Sequence, residues 1–182
     1  MTYYGAKDIA ASFRIVRNNT LKIAEEIPEE KYSFRPAEGS RTVAQTLIHI
    51  SNIHRFALAI HRDNVVSTME GFNFMAFIAP VTATEQEAMT KAQIVARLTV
   101  AGEEFETWVK SLSDDFLGQS ITMPPGGNPP SRSRFDLLIA VKEHEMHHRG
   151  QLMLMERLIG ITPHLTRQAQ ARRAALHAAG KS

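Results

Sequence analysis

Apolar residues recur at intervals of three and four along most of this chain, and this spacing restricts the fold more than any other feature. In the first segment, the stripe consists of Ile9, Phe13, Val16, Thr20, Ile23 and Ile27. Such a stripe lies along one side of an α-helix. No segment alternates with period two over enough residues to predict a strand. The sequence therefore predicts an all-α protein.

Two more helices with the same periodicity are predicted in the middle of the chain. The second helix should start near Thr42 and run through His61, after a loop at residues 27–41 that contains two prolines and a glycine. The third helix is predicted to begin at Thr84, whose hydroxyl can cap the first turn while Glu87 reaches back to it. The connection between these two helices is longer than a hairpin turn, so a crossover is expected there.

The fourth helix is predicted from about Ser133 to Leu158, with Gly160 as its stop. Four amphipathic helices of this length pack naturally as a four-helix bundle with their apolar stripes inward. Residues 64–80, rich in Phe and Met, show no periodicity that assigns them to an element. Within this stretch, the apolar side chains of residues 72–78 could line the mouth of a pocket, pack in the core or form a dimer contact.

Composition narrows the functional class. The chain has no cysteine, which excludes disulfides, thiolate nucleophiles and cysteine-based zinc sites. No signal peptide is visible and the apolar runs are too short to span a bilayer, so we expect a soluble cytoplasmic protein. The last residues of the sequence, from Ile161 onward, contain four basic residues and no acidic one: Arg167, Arg172, Arg173 and Lys181. We predict a bundle domain at residues 1–163 and a basic, alanine-rich tail at residues 164–182, and a nucleic-acid partner is not expected of the net acidic body.

The stretch HEMHHRGQL, which begins at His144, places two histidines one helical turn apart on the fourth helix. On a helical wheel, His144 and His148 lie within the apolar stripe, whereas His147 falls just outside its opposite edge and is the weakest ligand candidate. His49 lies beside the apolar arc of the second helix. Three imidazoles that meet in an apolar interior suit a divalent transition metal, with open positions for water or substrate.

Other interpretations of these residues stay open. A lone histidine on an apolar face is more often a satisfied core residue than a ligand, so His49 alone would not predict a metal site. The letters H-E-x-x-H also match zinc proteases, with Glu145 as general base, but that helix normally packs under a sheet and takes a ligand from further downstream. An ion pair between Glu145 and Arg149 is the simpler prediction for this acid. Gln151, on the side of His144, could orient a water or ligand, or satisfy a neighbouring polar group.

The sequence also resembles a known family. HEMHHRGQL resembles the last-helix signature of the DinB/YfiT-like superfamily, and TVAQTLIHI resembles its second helix, whose histidine supplies the third ligand. The similarity covers about residues 5–160. It implies a four-helix bundle in an up-down-down-up arrangement, often a homodimer, with a three-histidine site for a divalent metal such as nickel or zinc, or else iron or manganese. Carried over to this chain, the ligands would be His49, His144 and His148.

The resemblance implies more than one function. Members of the family include thiol-dependent S-transferases and isomerases, and because this chain has no cysteine, a low-molecular-weight thiol would come from outside. Hydrolysis of an ester or amide is the other chemistry that a metal site favours. A second hypothesis is a non-enzymatic metal-binding protein of a stress response, with a structural or sensory site. In a third, the histidines are packing residues and the basic tail recruits a partner. Gln151 is the one weak catalytic candidate.

Overall fold

The computed structural model describes residues 4–180, so the tail residues Lys181 and Ser182 lie outside the described part, as do residues 1–3. Its helices are α1 (Ala6–Glu26), α2 (Val43–Leu58), α3 (Phe74–Ala83), α4 (Lys91–Lys110), α5 (Asp114–Gly118), α6 (Arg134–Leu158) and α7 (His164–Ala179). Two short strands, β1 (Ser120–Thr122) and β2 (Ser131–Ser133), pair antiparallel between α5 and α6. The predicted all-α fold class is confirmed. No helix within the described residues has the length and apolar character needed to cross a membrane.

Four long helices form the bundle: α1 and α2 each pack against both α4 and α6. Two polar contacts at successive levels of each helix pair show that α1 and α4 run antiparallel, that α2 and α4 run parallel, and that α1 and α6 run parallel. These contacts are Arg14–Glu106 and Glu25–Lys91 for α1 and α4, Ser51–Arg97 and Arg62–Glu104 for α2 and α4, and Ser12–Lys142 and Arg17–Glu145 for α1 and α6. The bundle is therefore up-down-down-up with a crossover between α2 and α4, as predicted.

Local capping explains where two of these helices start. Thr42 accepts a hydrogen bond from the backbone of Gln45, whose side chain accepts one from the backbone of Thr42 in return, so α2 starts as predicted. Ser133 caps α6 by accepting from the backbone N–H of Asp136. The predicted stop at Gly160 is also confirmed, since this residue has a φ of 88° that favours glycine.

The predicted start of the third long helix at Thr84 is wrong. The hydroxyl of Thr84 donates to the carbonyl of Val81 and accepts from Asn52, so it caps no helix, and residues 84–86 form a short 3-10 turn. The helix starts at Lys91 instead, where Thr90 and Gln93 form a complete capping box.

The crossover contains structure that the periodicity did not predict. It comprises a π-helical turn at Ala59–Asp63, then α3, then the 3-10 turn. The Phe-rich segment packs on α2, because the ring of Phe56 lies 5.2 to 6.1 Å from the rings of Phe72, Phe74 and Phe77. Because of this packing, the 3-10 turn lies against α2, next to the candidate site.

The expectation of no strands is wrong for β1 and β2, since three residues are too few to show a period of two. The predicted tail forms helix α7, which touches the bundle through its first turn. There His164 lies 3.1 Å from Asn19 and Arg167 pairs with Glu26, whereas residues 167–180 are exposed.

The core of the described residues contains three apolar clusters, the smallest of which consists of Ile60, Met69 and Ile121, and the two larger ones follow one another along the long helices. One is centred on Ile23, Leu47 and Leu152, and the other on Phe13 and Val141. Buried polar side chains of three helices lie at the sequence positions between the two larger clusters: Arg17 and Thr20 on α1, His54 on α2, and Glu145 and His148 on α6. The helices thus bring polar groups to the middle of the bundle, where burial makes an unsatisfied polar atom costly.

Candidate metal centre

Three histidines from two helices meet in this polar layer. The Nε2 atom of His144 lies 3.1 Å from Nε2 of His49 on α2 and 3.2 Å from Nε2 of His148, one turn further along α6. The candidate ligand atoms of the three rings all lie within 4.8 Å of one another, which is a suitable arrangement for a metal ion. The structure therefore brings together the three residues that the sequence singled out.

Two of the rings are oriented by hydrogen bonds on their outer nitrogens. Nδ1 of His49 donates to a carboxylate oxygen of Glu85 at 2.7 Å, and Nδ1 of His148 donates to the side-chain oxygen of Gln151 at 2.7 Å. Because each neutral imidazole carries one N–H, these bonds place the proton on Nδ1 and leave the Nε2 lone pair facing the centre. This is the outer-sphere arrangement that fixes histidine ligands in metal sites.

The electrostatics of the centre favour neutral rings. Burial, followed by the neighbouring histidines, lowers the pKa of His144 to about 4. Burial also lowers the pKa of His148 to about 4, although the bond to Gln151 works in the other direction. Both rings are therefore uncharged at neutral pH, and the Nδ1 atom of His144 is buried without a hydrogen-bond partner among residues 4–180. Nitrogen lone pairs that face one another without a proton between them are stabilised by a cation. The three imidazoles therefore fit a divalent transition metal.

Glu85, in the 3-10 turn of the crossover, is a site residue that the sequence did not reveal. It is 5% exposed, and its second oxygen accepts a hydrogen bond from Nε of Arg41 at 2.7 Å. Burial raises the pKa of this carboxyl group, but the bonds from His49 and Arg41 outweigh that effect and hold it below its usual value. Glu85 is thus a carboxylate that links Arg41 to a candidate ligand. Its role depends on how the crossover packs against α2, which no local sequence signal predicts.

The predicted ion pair between Glu145 and Arg149 is wrong. Glu145 is fully buried, and both of its oxygens accept from Arg17 on α1, at 3.0 Å from Nε and 2.8 Å from a terminal nitrogen. The same guanidinium donates to the ring of His54 at 3.1 Å and to the carbonyl of Leu98. Because Arg17 engages both oxygens, the general-base role of a zinc protease is excluded for Glu145.

The buried face of α6 differs from the stripe that the helical wheel placed around His144. Apart from Glu156, its buried residues step by four and three along the helix as Arg134, Leu138, Val141, Glu145, His148, Leu152 and Met155. Two of these positions are charged, which hid the true centre of the stripe. His144 lies at the edge of this face, partly exposed, where it can meet the ring from α2.

The remaining polar candidates lie around the centre or away from it. Gln151 is exposed rather than buried, and its amide nitrogen lies 3.2 Å from Nε2 of His147, which is itself exposed. His61, near the end of the second helix, is buried elsewhere and lies 3.0 Å from Arg134. Burial lowers the pKa of His61 to about 4, so this ring is also neutral at pH 7.

Two cavities of opposite character adjoin the centre. An apolar cavity of about 310 Å³ has His144 in its wall, together with Ile53, Phe56, Ile60, Met69 and Leu137. A polar cavity of about 560 Å³ is lined by the outer partners of the other two rings, Glu85 and Gln151, and by Arg35 and Arg41. Apolar walls with a few polar groups are typical of sites for small molecules.

The direction pattern of the helices and the three-histidine cluster define an all-helical bundle protein with a candidate metal centre between two helices. The chain belongs to the DinB superfamily, whose family model matches residues 12–152.

Known proteins of Bacillus subtilis support this assignment. The chain is 27% identical to the YjoA protein of strain 168 over 158 residues, which are 86% of this chain and 92% of YjoA. The crystal structure of the DinB-like YjoA superposes with a TM-score of 0.61 at 25% identity, covering 85% of this chain and 92% of that one. YfiT, described as a probable metal-dependent hydrolase with an unusual four-helix bundle topology, has a TM-score of 0.65 at 14% identity and covers 89% and 91% of the two chains.

Proposed function

We propose that this protein is a metal-dependent enzyme that acts on a small molecule, with a divalent ion held by His49, His144 and His148. The observation that carries this proposal is the convergence of three Nε2 atoms, two of which belong to rings whose outer nitrogens are already bound by Glu85 and Gln151. Imidazole ligands favour nickel or zinc, while iron or manganese are the alternatives. The description of YfiT as a probable metal-dependent hydrolase is consistent with such a function.

An enzymatic role is favoured by the number of protein ligands. Structural zinc sites are closed by four ligands, whereas catalytic sites keep three and leave a position open for substrate or water. A divalent ion bound there would lower the pKa of a thiol or water that coordinates it. The apolar cavity beside His144 would accommodate the apolar part of a substrate and exclude bulk water from the reacting atoms.

The proposal includes two reactions that the site supports equally. In one, the protein is a thiol-dependent S-transferase that uses an external low-molecular-weight thiol, because the chain has no cysteine. In the other, it is a hydrolase. In both, Glu85 and Gln151 act as positioning residues that hold the imidazoles. We further propose that the protein is a cytoplasmic homodimer in which the bundle carries out catalysis and the basic tail from residue 164 lies outside the metal-binding unit.

Metal binding is the first test, with protein purified without a histidine tag. We expect about one nickel or zinc ion per chain in the wild type, because three preformed ligands suffice for tight binding. His148→Ala should abolish binding, while His147→Ala, the matched control on the same helix turn, should leave it nearly intact. A stoichiometry near zero in the wild type, or equal losses in the two variants, would contradict the proposal.

Turnover then separates the two reactions from a non-enzymatic role. An electrophile is offered with a panel of small thiols, and simple esters and amides are offered without thiol. Turnover that requires a thiol identifies a transferase, and turnover without one identifies a hydrolase. A protein that binds metal but turns over neither set fits instead a structural or sensory protein, such as one of a stress response.

A further inference from the structure

The polar cavity beside the metal centre has features of a binding site in its own right. Its wall is built from the loop that precedes α2, the first turn of α2, the crossover and the later turns of α6. Glu85 and Gln151 belong to both the cavity wall and the metal centre, since they hold the outer nitrogens of His49 and His148. A molecule in this cavity therefore lies one side chain away from the candidate ligands.

Positive charge is in excess in this cavity. Arg35 and Arg41 line it, and Glu85 is the one acid among its lining residues. That acid is already engaged, because one oxygen accepts from His49 and the other from Nε of Arg41. Among residues 4–180, no side chain or carbonyl accepts from the terminal nitrogens of Arg41, which is 39% exposed. These nitrogens are available to a ligand.

A neighbouring cleft shows that this excess is not general on the surface. A cleft of about 620 Å³ under α3 is also lined by two arginines, Arg55 and Arg62. Two acids accompany them there, and Arg62 pairs with both, at 2.7 Å from Asp63 and 2.7 Å from Glu104. The charges in that cleft balance, whereas those beside the metal centre do not.

We propose that the polar cavity binds an anionic group, a carboxylate or a phosphate, of the small molecule that reacts at the metal centre, with Arg41 and Arg35 as its cations. The planar guanidinium matches both anions through paired N–H donors, which makes arginine the suitable residue for either. The inference deepens the proposed function and rests on it for the reaction, but not for the binding of the anion itself.

The contact between Arg41 and Glu85 gives the anion site a route to the metal centre. Glu85 holds the guanidinium with one oxygen and the ring of His49 with the other, each at 2.7 Å. Arg41 is thereby fixed in direction, and an anion bound to its terminal nitrogens has a defined position relative to the ligand ring. Such positioning of an unreactive part of the substrate is how binding energy aligns the reacting part.

Binding of simple anions to the full chain tests the proposal. Isothermal titration calorimetry would compare succinate, inorganic phosphate and the neutral diamide of succinic acid, each with wild-type protein both metal-free and metal-loaded. We expect at least one of the anions to bind both forms and the diamide to bind neither. Arg41→Gln should weaken anion binding at least about tenfold, since a hydrogen bond to a charged group is lost. Arg55→Gln, the matched control in the balanced cleft, should change it less than about twofold.

Arg35→Gln keeps the test decisive if Arg41→Gln disturbs Glu85. Arg35 contacts Ser40 and Gln45 and none of the three histidines, so its loss should weaken the anion several-fold while the metal stoichiometry stays unchanged. Undiminished anion binding in both arginine variants would mean that these cations do not form the site, and binding only in metal-loaded protein would mean that the anion coordinates the metal. Either result would overturn the proposal. Arginine-dependent binding in His148→Ala would uphold the anion site even if the proposed metal function failed.

Discussion

Two buried polar clusters occupy the middle of the bundle, and the same H-E-x-x-H stretch of α6 contributes to both. The first, which we call the ion-pair cluster, consists of Glu145 with Arg17 and His54. Every charge in it is matched, because the guanidinium binds both carboxylate oxygens and also contacts the ring. The second is the candidate metal centre, in which His144, the residue before Glu145, faces α2. Among residues 4–180, the ring nitrogens that face inward have only each other within hydrogen-bond distance.

The difference lies in what each cluster needs from outside the chain. The ion-pair cluster is complete within the protein, so it contributes to the fold and offers no group for chemistry. The metal centre has outer partners for two of its three rings, where Glu85 binds His49 and Gln151 binds His148, and its inner side is incomplete. An outer shell that is built around an unsatisfied centre is the arrangement that ligand-binding sites require. Adjacent residues of one motif thus have a structural and a candidate functional role.

Breaking the ion-pair cluster should have the largest effect on stability and leave metal binding intact. Glu145→Gln leaves the guanidinium of Arg17 buried without a counter-charge, so we expect the free energy of unfolding to fall by about 3–5 kcal/mol. Urea denaturation of metal-free protein measures this loss, and metal analysis under native conditions measures binding.

A double variant serves as the control for that experiment. Arg17→Met combined with Glu145→Met removes both charges together, and it should recover much of the stability because no lone charge remains. Loss of metal from Glu145→Gln under conditions where it is folded would show that the two clusters are one, and that Glu145 belongs to the metal centre.

Glu156 sharpens the comparison, because it is an unsatisfied buried group on α6 that faces no cluster of ligands. Neither of its carboxyl oxygens has a hydrogen-bond partner among residues 4–180. Burial, followed by the charge of Glu26, raises its pKa to about 7. Since this pKa lies above that of an unfolded glutamate, the folded state prefers the protonated form. Stability from this group is full below about pH 4 and is lost as the pH rises towards 7.

Glu156→Gln should therefore stabilise the protein in a pH-dependent manner. We expect the free energy of unfolding to exceed that of the wild type by about 2–3 kcal/mol at pH 8, where the native carboxylate is charged and buried. At pH 4.5 the two proteins should differ far less, because the wild-type carboxyl is then protonated in the folded state. Chemical denaturation of metal-free protein at both pH values measures this difference. An equal difference at the two pH values would mean that Glu156 is charged and paired in solution.

The sequence predicted features that depend on neighbouring residues and missed those that depend on distant ones. Thr42 and Gln45 cap α2 within one turn, so the start of this helix could be predicted. Thr84 carries an equally suitable glutamate three residues later, but its hydroxyl is taken by Asn52, which lies 32 residues away in sequence. The start of α4 therefore could not be inferred from the local pattern.

The same rule divides the residues of the site. His144 and His148 share a helix face because of their spacing, and the resemblance to the DinB family pointed to His49. The partner of Glu145 lies 128 residues away on α1, and nothing in the stretch around Glu145 indicates it. Glu85 reaches His49 only because the crossover packs against α2, and the crossover shows no periodicity. Outer-shell residues are thus the part of such a site for which a structure is needed.

A substitution of Glu85 tests whether the hydrogen bonds on the outer nitrogens contribute to metal binding. Glu85→Gln keeps the size of the side chain but removes the charge that orients His49, and we expect the affinity for nickel or zinc to fall about 10- to 100-fold. Competition with a chelator measures the affinity. Gln86→Ala is the matched control, because the neighbouring Gln86 accepts from Gln45 and contacts no candidate ligand, so its affinity should match that of the wild type. An unchanged affinity in Glu85→Gln would mean that His49 is held by packing alone. The hydrogen bonds on the outer nitrogens would then no longer distinguish the metal centre from an ordinary group of buried histidines.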